Sequence, residues 1–103
     1  MRNIDIAVHG QTLQRIKSEP IVIGSKGYLR TVFKFSSDWN GCKKIATFFS
    51  EDNKESAIAL AADGSCSVPD EVTDGAVWYV KVTGVNRQGK MITTSKLKVR
   101  QSI

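Results

Sequence analysis

The chain has 103 residues, enough for one domain and too few for two, so a single domain over residues 1–103 is expected. Hydrophobic residues make up 41% and charged residues 24%, a balance that excludes a disordered chain, and no apolar run approaches the ~20 residues of a membrane helix. The net charge of +5, from 15 Lys and Arg against 10 Asp and Glu, is scattered along the sequence, which argues against nucleic acid as the main partner.

The opening residues, Met1 to Gly10, lack the apolar stretch of a secretory signal, so synthesis in the cytosol is expected. That setting favours free thiols at Cys42 and Cys66, with a disulfide left open as the alternative.

Alternation of apolar and polar residues, the mark of a half-buried strand, dominates the chain. Ile4, Ile6 and Val8 share one face until His9-Gly10 breaks the run. A second extended stretch runs near Thr12 to Ile16, and Glu19-Pro20 interrupts it because proline lacks a ladder donor. Ile21 to Ile23 form a short apolar run, and Gly24 to Gly27 read as a turn. From Tyr28 to Phe35, Leu29, Thr31, Phe33 and Phe35 oppose Tyr28, Arg30, Val32 and Lys34. A loop from Ser36 to Gly41 carries Trp39. The run Lys44 to Ser50 sets Ile45, Thr47 and Phe49 against Ala46 and Phe48. After a polar turn at Glu51 to Lys54, Ser56 to Ala61 lead into Asp63-Gly64, a hairpin signal, and a short strand from Ser65 to Val68. Pro69 to Val72 read as one helical turn with proline at its first position, closed by Asp74-Gly75. The strongest strand is Ala76 to Val85, with Trp78, Val80 and Val82 opposite Val77, Tyr79 and Val85. Asn86 to Gly89 turn the chain into a last strand, Lys90 to Arg100, expected to point Met91, Leu97 and Val99 inward and Lys96, Lys98 and Arg100 outward.

Seven to eight strands with turn signals roughly every 8–12 residues, and no amphipathic helical window, predict an all-β fold. An antiparallel β-sandwich, immunoglobulin-like or jelly-roll-like, is expected, with a small barrel as the other solution.

Residues able to carry chemistry are few. Nucleophilic catalysis needs a base beside the nucleophile, and the single histidine, His9, sits at a glycine turn with no local motif linking it to either cysteine. Asp70, Glu71 and Asp74 follow Pro69 as turn and capping residues, and Glu51-Asp52 read as a hairpin tip. Two cysteines and one histidine are too few for a structural zinc site, and Ser50 to Glu55 lack the spaced oxygen ligands of a calcium loop. Gly24-Ser25-Lys26-Gly27 precedes a strand rather than the helix a phosphate-binding loop requires. Neither an enzyme nor a cofactor is expected. Tyr28, Arg30 and Lys34 with Lys43 and Lys44 resemble a stacking platform, but Phe33 and Phe35 on the same strand are needed for the core. Lys96, Lys98 and Arg100 also suit an edge strand that blocks aggregation.

Trp78 lies mid-strand and reads as core. Trp39 has two readings: it folds back to cap one end of the sandwich, or it anchors a protein contact, as tryptophans do in interface hot spots. Trp39, Tyr28 and Tyr79 are the candidate contact residues.

Three blocks stand out together. Phe33 and Phe35 precede a polar stretch, Trp39-Asn40-Gly41, and then Lys44, Ala46 and Phe48 at alternate positions. Asp63-Gly64 leads through Cys66 to Val68-Pro69 and Glu71-Val72. Val80, Val82 and Gly84-Val85 are followed by Ile92-Thr93-Thr94. In this order and spacing, over about Met1 to Val99, they resemble a small β-sandwich attachment domain in virion proteins of tailed phages and prophages of Gram-positive bacteria. That domain is the N-terminal module of baseplate, tail-fibre and head-fibre proteins. The resemblance implies a non-catalytic virion protein that binds phage capsid or tail proteins and forms a homo-oligomer. Because Ile103 follows the last strand directly, a stand-alone decoration or adaptor protein, or a fragment, is expected. Two further readings are a small phage-encoded inhibitor of a host protein and a basic nucleic-acid-binding β-barrel.

Overall fold

A computed structural model describes residues 2–16, 29–73 and 76–100. Within them, the alternating runs form nine strands: β1 (Arg2–His9), β2 (Thr12–Arg15), β3 (Leu29–Phe35), β4 (Lys43–Ser50), β5 (Glu55–Ala59), β6 (Ser65–Ser67), β7 (Val77–Val85), β8 (Met91–Thr93) and β9 (Leu97–Arg100). Single 3₁₀ turns occupy Ser37–Trp39 and Asp70–Val72. The second falls within the helical turn expected over Pro69 to Val72, but Pro69 is its extended N-cap rather than its first helical residue. The expected features at Glu19-Pro20, Ile21 to Ile23, Gly24 to Gly27, Tyr28 and Asp74-Gly75 lie outside the described residues.

The strands form two sheets, ordered β2-β1-β3-β6 and β5-β4-β7-β8, with β9 continuing the second sheet along β7. They pack face to face as a sandwich and do not close into a barrel. Most neighbours are antiparallel, as expected, but β1 and β3 pair in parallel from Arg2 opposite Leu29 to Val8 opposite Phe35. A parallel pair cannot be joined by a hairpin, so the chain must cross between the ends of β1 and β3.

The inner faces follow the alternation. Ile4, Ile6, Val8, Leu29 and Phe33 from the first sheet meet Ala46, Phe48, Trp78, Val80, Val82 and Val99 from the second, all buried. Phe48 and Trp78 pack with ring centroids 5.7 Å apart. Burying side chains of this size contributes about 1.5–3 kcal/mol each and decides which face of each strand turns inward.

Two local expectations are corrected. Asp63-Gly64 does make a tight turn, with Gly64 N–H donating to Ala61 O at 2.9 Å and Ala61 N–H to Ser65 O at 2.9 Å. The strands it joins do not pair, however: β5 pairs with β4 and β6 with β3, so the turn carries the chain from one sheet to the other. Gly64 has φ +82°, and a Cβ there would lie 2.5 Å from Phe33 O, so the close passage over β3 requires glycine.

The last run is two strands, not one. Residue numbers of partners on β7 and β8 sum to 176 (Thr83 opposite Thr93), whereas those on β7 and β9 sum to 177 (Trp78 opposite Val99). One extra residue is therefore accommodated around Thr94-Ser95-Lys96, a bulge that reverses the in–out parity of the run. Thr94 holds the break: Val82 N–H donates to its hydroxyl at 3.0 Å and its own N–H donates to Val82 O at 3.0 Å. Leu97 and Val99 face inward as expected, but Met91, expected inside, shares the outer face with Val85 and is 70% exposed.

Candidate binding surface

The loop after β3 decides between the two readings of Trp39. Ser36 N–H donates to Val8 O at 2.9 Å, and Gly10 N–H donates to Ser36 Oγ at 3.2 Å, which pins the loop to the β1–β2 turn. The indole N–H of Trp39 then donates to Gly10 O at 2.9 Å, and its ring packs on Phe35 at 5.2 Å between centroids. On the opposite sheet, a Cβ at Gly84 would lie 2.8 Å from the Trp39 ring, so glycine is what admits the indole. Trp39 is 0% exposed. It plugs one end of the sandwich and offers no surface to a partner, which corrects its candidacy as a contact residue. Tyr28 lies outside the described residues. Tyr79, half-buried, is the candidate that reaches a described surface.

That surface is the outer face of the five-stranded sheet. Pairing places residues in rows across it: Glu55, Phe49, Tyr79 and Lys98; then Ala57, Thr47 and Lys81; then Ala59, Ile45, Thr83 and Thr93; then Lys43, Val85 and Met91. Arg100 flanks Val77 on the other side of the Tyr79 row. Phe49 points away from the core yet is 8% exposed, because Lys96 Nζ lies 4.0 Å and Lys81 Nζ 5.6 Å from its ring centroid. Ammonium groups over a ring face are attracted by its quadrupole, by about 0.5–1 kcal/mol at exposed sites. Among the described residues, none of Lys81, Lys96, Lys98 and Arg100 has a carboxylate within 4.0 Å. The far end of the same face is apolar, with Ile45, Val85 and Met91 exposed. The result is a sheet face with a cationic-aromatic half and an apolar half.

The other ionisable groups serve the frame. Asp63 Oδ1 accepts from the Ser65 hydroxyl at 2.6 Å and from Ser65 N–H at 3.1 Å, while Oδ2 pairs with Arg30 at 3.1 Å. These donors, the Ser65 hydroxyl foremost, hold its carboxyl below the ordinary value of 3.8. Arg30 also donates to the Ser65 hydroxyl. The Ser56 hydroxyl donates to Glu71 at 2.6 Å, lowers the Glu71 pKa and ties the Asp70–Val72 turn to β5. Cys66 is buried, which pushes its thiol up; Cys42 is half-buried, and both cysteines are free. His9 is exposed at the end of β1. Among the described residues, no three His, Cys, Asp or Glu side chains gather where a metal ion could be held, and no helix is long and apolar enough to cross a membrane.

No protein-family model matches the chain, and no curated protein or solved structure matches it.

The outer face was partly legible in the sequence. Tyr79 and the cationic run from Lys96 to Arg100 stand out there. Phe49 and Lys81 were missed as surface residues, although both lie on the face opposite Ala46, Phe48, Trp78 and Val80 by simple alternation.

Proposed function

We propose that this protein is a non-catalytic structural component of a tailed-phage or prophage virion. It binds other virion subunits as a capsid decoration, head-fibre, or baseplate or tail attachment module, and it assembles as a homo-oligomer. The observation that carries a binding role is the outer face of the five-stranded sheet, where cations with no carboxylate partner among the described residues frame Phe49 and Tyr79 beside exposed Ile45, Val85 and Met91. Aromatic side chains, Met and Arg are the residue types enriched in protein interfaces, and Tyr79, Met91 and Arg100 share this face. The virion setting is supported by the resemblance of the three sequence blocks.

The arrangement also favours a protein partner over a nucleic acid. Single-stranded binding uses open aromatic faces on which bases stack. Here the Phe49 ring is already covered by lysine ammonium groups.

Mass spectrometry of purified particles from the phage or induced prophage tests the reading, together with light scattering on the isolated protein. The chain is expected in particles and as a defined oligomer. A monomer that is absent from particles would sink the proposal and leave a host-directed inhibitor as the reading to pursue.

A further inference from the structure

Among the described residues, no strand pairs with the outer edge of β5 in the five-stranded sheet. Leu60 N–H donates to Lys44 O at 3.0 Å, and Ser50 N–H donates to Lys54 O at 2.9 Å. These bonds set the phase of the β4–β5 ladder, in which hydrogen-bonded and non-hydrogen-bonded pairs alternate. Ser56 and Ile58 therefore bond to β4, and the N–H and C=O groups of Glu55, Ala57 and Ala59 point away from it. Beyond Ala59 the chain closes on itself, with Ala61 N–H bonded to Ser65 O. Natural sheets protect such edges with lysine, proline or a bulge. β5 reads Glu-Ser-Ala-Ile-Ala, with none of these and with exposed Ala57 and Ala59 beside the free groups.

At the Ala59 end, the edge runs into a groove of about 470 Å³. Phe33, Phe35, Ile45 and Leu60 give it apolar walls, and Lys43 and Lys44 line it on the β4 side. Lys44 Nζ is 4.9 Å from the Phe35 ring centroid, so the cation is held at the apolar wall. Asp63 also lines the groove, but its carboxylate is engaged by Arg30 and Ser65.

We infer that β5 accepts an additional strand from a partner protein, an extended segment that seats an apolar side chain in the groove and sets Asp or Glu against Lys43 and Lys44. Main-chain hydrogen bonds to Ala57 and Ala59 give such strand addition its affinity, and the groove gives it specificity. Charge selects the occupant. A second copy brings another net charge of +5 and, on the outer face of its own β5, only Glu55 and two alanines, whereas an acidic-apolar segment answers both features of the groove. The inference deepens the proposed attachment role by naming a surface and a partner chemistry for it.

The test begins with a randomised peptide library displayed against the immobilised protein. Selected peptides are expected to combine an apolar residue with acidic ones. Titrating one of them into ¹⁵N-labelled protein is expected to shift the Ala57 and Ala59 amide signals and to slow their hydrogen exchange. Ala57→Pro removes an N–H that β4 does not use and is expected to weaken binding about tenfold or more. Lys44→Glu is expected to do the same, and Lys44→Arg to retain binding. Should Ala57→Pro fail to fold, the amide exchange of the unmodified protein still decides the point. The inference is overturned if the selected peptides carry no acidic residues, or if the shifts map to the outer face around Tyr79. It is equally overturned if light scattering shows a dimer that Ala57→Pro dissolves, since a second copy would then be the occupant. Absence of the chain from virions would remove the virion reading and leave these peptide results standing.

Discussion

The two faces of the five-stranded sheet use the same residue types for different ends. On the inner face, Phe48 and Trp78 are 0% exposed and belong to one core cluster with residues of the opposite sheet. On the outer face, Phe49 is almost as well covered, yet what covers it is lysine. Burial alone therefore does not distinguish a core aromatic from a surface one. What lies over the ring does. Truncating a ring under a packed sheet leaves a cavity, whereas the lysine stems over Phe49 lie on the solvent side and can settle into the space a truncation opens.

That contrast predicts a gradient of effects. Trp39→Ala is expected to cost most, about 3–5 kcal/mol, because it removes the end plug, its ring contacts and its hydrogen bond to Gly10. Urea unfolding would measure it, and a loss below about 1 kcal/mol would mean that the plug does not close the sandwich. Gly84→Ala acts on the same contact from the other side. Its Cβ would fall 2.8 Å from the indole, and an overpacking loss of about 1–3 kcal/mol is expected in the same assay. On the outer face, Phe49→Ala is expected to cost less than Phe48→Ala, about 1–2 against 3–5 kcal/mol. Equal losses would erase the distinction between the faces. Lys96→Ala should cost about 0.5–1 kcal/mol, with the loss shrinking when Phe49 is already alanine in a double-mutant cycle.

The smallest effect concerns acid. Asp63 has its pKa lowered in the folded state, chiefly by the Ser65 hydroxyl and N–H and then by Arg30. A carboxyl with a depressed folded pKa contributes stability that is fully present above its ordinary value of 3.8 and is lost as pH falls through the folded value. Glu71, lowered by Ser56, acts in the same direction. Thermal melts taken below about pH 4 should therefore decline less steeply for Asp63→Asn than for the unmodified protein. Parallel declines would show that the Asp63 cluster contributes nothing to acid stability.

Much of this fold was legible in the alternation itself. Period-2 patterning predicts the inward faces of β1, β3 and β7, because a strand offers only two faces and apolar burial chooses between them; in β4 both faces carry apolar side chains, and only packing turned Ala46 and Phe48 inward. The turns at His9-Gly10, Glu51 to Lys54 and Asn86 to Gly89 are legible for an equally local reason, since backbone geometry there depends on the residues of the turn. The cationic run beginning at Lys96 is legible too, although not the ring it covers.

What only the tertiary structure decided are pairings between distant segments. Alternation says which residues share a face and nothing about which strand lies alongside, so it could not show that β1 and β3 run parallel or that Asp63-Gly64 leads to another sheet. Nor could it show the extra residue near Thr94, because the bulge exists only relative to β7, and that one residue moves Met91 from the core to the surface. Trp39 is the clearest case. Its polar neighbours suggest a surface loop, and its burial depends on Gly10 and Gly84, which are remote in sequence. Local sequence determined most of the strands and the inward faces of β1, β3 and β7 through the free energy of burying apolar side chains. The choice of partners, and with it the outer face and the open edge of β5, came from contacts that form only when the two sheets meet.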